Sequence, residues 1–107
     1  MSQRTFIQVT TTIDSLEVAR ALARSAVEAR LVACAQVSGP IESVYRWQGT
    51  VEEAREWVIV FKARGDGYQM LENHIKENHP YEVPEIVATP VSEGNPAYLS
   101  WVEDNAS

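Results

Sequence analysis

The sequence predicts an α+β fold. It reads as a ferredoxin-like βαββαβ chain, a four-stranded antiparallel sheet with both main helices on one face, followed by a C-terminal helix. Three observations carry this. Strand-type and helix-type periodicities alternate in that order through the 107 residues. Two long runs rich in β-branched and aromatic residues meet at one tight turn around Gln48, Gly49 and Thr50. No repeat, low-complexity tract or Pro/Gly/Ser linker divides the chain, so residues 1–107 are expected to form one domain.

Each element follows from its residues. "RTFIQVTTTI" (4–13) alternates Phe6, Gln8 and Thr10 with Ile7, Val9 and Thr11, the period of a strand. Asp14 with Glu17 three residues on predicts a capping-box start to a helix over 14–30. Leu16, Ala19, Leu22, Ala23, Ala26 and Val27 form its apolar stripe, opposite a solvated Arg20, Arg24 and Glu28 face. The 31–64 stretch is a hairpin in which Pro40 lacks an amide donor, so "SGP" predicts a bulge or break in its first strand. In its second strand Trp57, Ile59 and Phe61 share one face, while Glu56, Val58, Val60 and Lys62 share the other.

Asp66 and Gly67 open a shorter helix with Tyr68, Leu71 and Ile75 on one side, ending near His79 because Pro80 disfavours helical geometry before it. "YEVPEIVATPV" (81–91) predicts the fourth strand, with Pro84 and Pro90 confined to an edge, an end or a bulge. Asn95 and Pro96 are N-cap and first residue of a last helix over 95–105 that packs through Tyr98, Trp101 and Val102. A four-stranded sheet with helices on one face leaves the other face and two edges open. The Val, Ile, Tyr and Trp found on more than one strand face therefore predict that a neighbouring subunit covers it.

Nine basic against fifteen acidic residues give a formal charge of −6, which opposes attraction to polyanions, so neither nucleic acid nor an anionic membrane is an expected partner. No apolar run approaches the roughly 20 residues of a membrane span, and residues 1–15 lack the apolar core of a secretory signal. A cytoplasmic protein is the expectation. The single Cys34, between alanines in an apolar strand, excludes an internal disulfide and reads as a buried structural thiol.

The densest cluster of reactive side chains is "HPYEVPEI", residues 79–86. Glu56, Lys62, His79, Tyr81, Glu82 and Glu85 supply acid, base and charge, and Tyr45 and Trp47 a flat apolar wall. No nucleophile elbow, glycine-rich phosphate loop or HExxH accompanies them, so no enzymatic activity is expected.

"LVACAQV", "IESVYRWQGTVEEAREWVIVFKAR", "HPYEVPEI" and "AYLSW", in this order and spacing, resemble the CutA family of divalent-cation tolerance proteins through nearly the whole chain. The resemblance implies a ferredoxin-like protomer, a homotrimer joined through its sheets, and a link to metal tolerance, copper in particular. Where bacterial members have a proposed copper site, its ligands fall at Thr11, Asn78 and His79 of this sequence. Neither a hydroxyl nor an amide is a good copper ligand, so the metal reading rests on His79 alone, against the plainer reading of an imidazole that ends a helix and hydrogen-bonds near the strand. His74 is not on the same helix face. The alternative function is a trimeric signalling or scaffold module, related in architecture to PII proteins, that binds a small ligand in an intersubunit cleft. Its residues would be Tyr81, Glu82 and Glu85 near the hairpin tip, with Lys62 holding an anionic group.

Overall fold

The computed structural model describes residues 5–107; Arg4 of the predicted first strand lies outside the described residues. The elements run β1 (Phe6–Ile13), α1 (Leu16–Glu28), β2 (Cys34–Trp47), β3 (Thr50–Arg64), a 3-10 turn (Gly65–Gly67), α2 (Tyr68–Asn78), β4 (Val87–Pro90) and α3 (Pro96–Asn105). The sheet order is β2-β3-β1-β4 with every neighbouring pair antiparallel, the ferredoxin-like arrangement the sequence predicts.

The main core lies between this sheet and α1 and α2. Val9 and Ile13 of β1 meet Ile59, Phe61 and Ala63 of β3, and Ala19, Leu22, Ala23 and Ala26 of α1 close over them with Leu71 and Ile75 of α2. Ala19, Ala23 and Ala26, small residues on the buried side of α1, let the helix lie close on the strands. Val27 at the stripe's edge is 39% exposed.

Several boundaries differ from expectation. Ser15, not Asp14, caps α1: its Oγ accepts from the Val18 amide at 3.2 Å, so the expected capping box does not form. The helix stops two residues early, because Arg30 takes a positive φ of 60° and its guanidinium donates to the carbonyls of Asp104 and Ser107 at the end of α3. The fourth strand keeps only four of the eleven predicted residues; Pro84 removes a donor upstream of it, and Pro90 ends it. Asn95 caps α3 through the Ala97 amide as predicted, but of its three expected packing residues only Val102 is buried. Tyr98 and Trp101 stack on each other with ring centroids 5.6 Å apart, both substantially exposed.

The face of the sheet away from α1 and α2 divides into two ends. At one, α3 packs Val102 against Phe6 and Ala33. The other end is formed by the hairpin. Gln48 and Gly49, with φ of 49° and 80°, make the two-residue turn that joins Trp47 to Thr50. The predicted irregularity at "SGP" is present: Ser38 pairs with Val58 but Ile41 with Glu56, so β2 carries one extra residue between them. From Ile41 onward that residue reverses which side chains of β2 share the open face, and it brings Ser43, Tyr45 and Trp47 onto the side that carries Glu56.

Candidate functional site

The segment after α2 folds back across this hairpin end. His79 is the C-cap of α2, in extended geometry, as Pro80 requires of the residue before it. Its imidazole turns inward: Nε2 lies 2.9 Å from the Thr12 carbonyl oxygen, and Nδ1 accepts from the Tyr81 amide at 3.1 Å. An amide can only donate, so Nδ1 carries the lone pair and Nε2 the proton that goes to Thr12. Burial pushes the His79 pKa below the ordinary histidine range, against smaller upward pulls from the Thr12 carbonyl, Asp14 and Glu56.

Tyr81 follows from that anchor. Its ring stands edge-on to His79 with centroids 4.6 Å apart, and its hydroxyl donates to Glu56 Oε2 at 2.7 Å. Burial first, and then the adjacent Glu56 carboxylate, raise the phenol pKa far above its usual value, so the proton stays on Tyr81 at any physiological pH. Glu56 itself is only 6% exposed. The hydrogen bond from Tyr81 is the one its carboxylate makes, and among the described residues no Lys or Arg forms an ion pair with it.

Together these side chains bound a cavity of about 550 Å3. Tyr45, Trp47, Glu56, Tyr81, Glu82 and Glu85 line it, with Thr12 and Ser43 on the sheet floor. The volume suits a small organic molecule, the usual range being about 300–1,000 Å3. Three carboxylates and no basic residue face it.

Of the predicted cleft residues, Tyr81, Glu82 and Glu85 are therefore brought together, and Lys62 is not. Lys62 stands six residues along β3 from Glu56, roughly 20 Å at strand rise. It donates to Gln36 Oε1 at 2.8 Å and lines a separate hollow under Tyr98 and Val102 of α3. Cys34 is half-buried rather than fully buried, and burial first, then the neighbouring Cys34, raise the Tyr98 phenol pKa. The residue the sequence undervalued is Glu56. Its signal was an acidic side chain in a strand face otherwise continued by Val58 and Val60.

The three positions aligned with a copper site do not form one within the chain. Thr11 is fully buried in the core beneath the helices. The Asn78 amide donates to the His74 carbonyl at 2.8 Å, and both nitrogens of His79 are engaged. Among the described residues no three His, Cys, Asp or Glu side chains converge on a point that could hold a metal ion. Thr11 is also the one residue whose buried side-chain oxygen, Oγ1, lacks a hydrogen-bond partner among those described. An unsatisfied buried hydroxyl costs about 1–3 kcal/mol, and valine has nearly the same shape. Thr11→Val is expected to raise stability by about 1 kcal/mol in urea denaturation; a loss would mean that the hydroxyl has a stabilising role.

A family model described as CutA1 divalent ion tolerance protein matches residues 7–105. A Thermus thermophilus relative named divalent-cation tolerance protein CutA is 45% identical over 94 residues, 88% of this chain and 91% of that protein. An Arabidopsis thaliana relative named protein CutA, chloroplastic, is 36% identical over 92% of this chain, which spans 54% of that relative's length. Among solved structures, a divalent cation tolerance protein from Thermus thermophilus superposes with a TM-score of 0.93 at 42% identity, covering 95% of this chain and 99% of its own.

Proposed function

The chain belongs to the CutA1 divalent ion tolerance protein family, and from that premise we propose that it serves divalent-metal tolerance as a cytoplasmic, non-catalytic homotrimer. The observation that carries the assembly is the apolar surface one chain leaves uncovered. Val44, Tyr45, Trp47 and Val51 on the hairpin are 64%, 44%, 42% and 59% exposed, and all four residues of the edge strand β4 face solvent. An aromatic hairpin beside an open strand edge invites another copy of the sheet. No described helix is long and apolar enough to cross a membrane. A non-catalytic role is supported by Tyr81, whose firmly held proton makes it no general base at neutral pH. Light scattering on the purified protein should return three times the chain mass, and a monomer would overturn the assembly.

Copper, in this reading, is at most a weak ligand at subunit boundaries, because the residues at the expected positions do not fit a copper centre within one chain. A copper titration is expected to show no site of defined stoichiometry that depends on His79. Tight binding lost in His79→Ala, with the fold intact, would overturn this. The cavity favours a second reading, a trimeric signalling or scaffold module that takes a small ligand in a cleft built from Tyr81, Glu82 and Glu85.

A further inference from the structure

We draw no further inference here: the strongest candidate, the groove between α1 and the free edge of β2 lined by Arg20, Ala23, Arg24, Val27, Ala35 and Val37, carries nothing, because nothing in the structure shows what covers that edge.

Discussion

Replacing His79 with alanine is expected to lower the free energy of unfolding by about 3 kcal/mol, read by urea denaturation at pH 7.5. Two backbone groups lose their partner at once: the Thr12 carbonyl and the Tyr81 amide. Each buried group left unpaired costs about 1–3 kcal/mol, and the vacated ring adds a void beside Tyr81. The same geometry sets a pH dependence. Burial holds the folded pKa of His79 below that of the unfolded chain, near 6.5, so the neutral ring's contribution is complete above about pH 6.5. As pH falls below that value the unfolded chain takes up a proton that the folded one resists, and stability declines until the folded pKa is passed. His79→Gln should flatten the slope between pH 7 and 5.5. A slope identical to that of the parent protein would show that other groups set it, and a loss under 1 kcal/mol in the alanine variant would remove the anchoring role.

That anchoring role was within reach of the sequence, but its consequence was not. Pro80 fixes where α2 ends and makes His79 extended, a local rule that needs no tertiary information. Alternation in β1 and β3, the alanine stripe of α1 and the Asn95-Pro96 cap are equally local, and each appears where its residues predict. What failed needed long-range contacts. Arg30 ends α1 because it reaches carbonyls more than seventy residues away, and the 81–86 segment leaves the sheet because Tyr81 is drawn to Glu56. Chemistry alone groups Lys62 with the cleft. Its place on β3, set by pairing with Gln8 and Cys34, sends it to the opposite end of the same face. The charge of the cleft is thus acidic where the sequence predicts an anion-binding lysine.

Gly39→Ala is expected to lower stability by about 2–3 kcal/mol, and its effect reaches the cleft. Gly39 has a φ of +135°, a conformation L side chains rarely adopt. An added Cβ would stand 3.1 Å from the Glu56 carbonyl oxygen and 3.2 Å from the Trp57 Cα, backbone atoms of β3 that cannot move without disturbing the pairing. Gly49, at φ +80° on the hairpin turn with open space around it, is the control: there alanine meets only the backbone penalty of about 1–2 kcal/mol. A larger loss at position 39 than at 49 is expected from crowding and the more strained φ together, and equal losses would sink the crowding argument. The extra residue beside Gly39 decides which half of the hairpin meets Glu56. With it, Ile41, Ser43, Tyr45 and Trp47 share that face; without it, Glu42, Val44 and Arg46 would. Tyr45 and Trp47 would then leave the side that carries Glu56. The bulge therefore keeps the aromatic side chains of Tyr45 and Trp47 on the same side of the sheet as Glu56 and Tyr81.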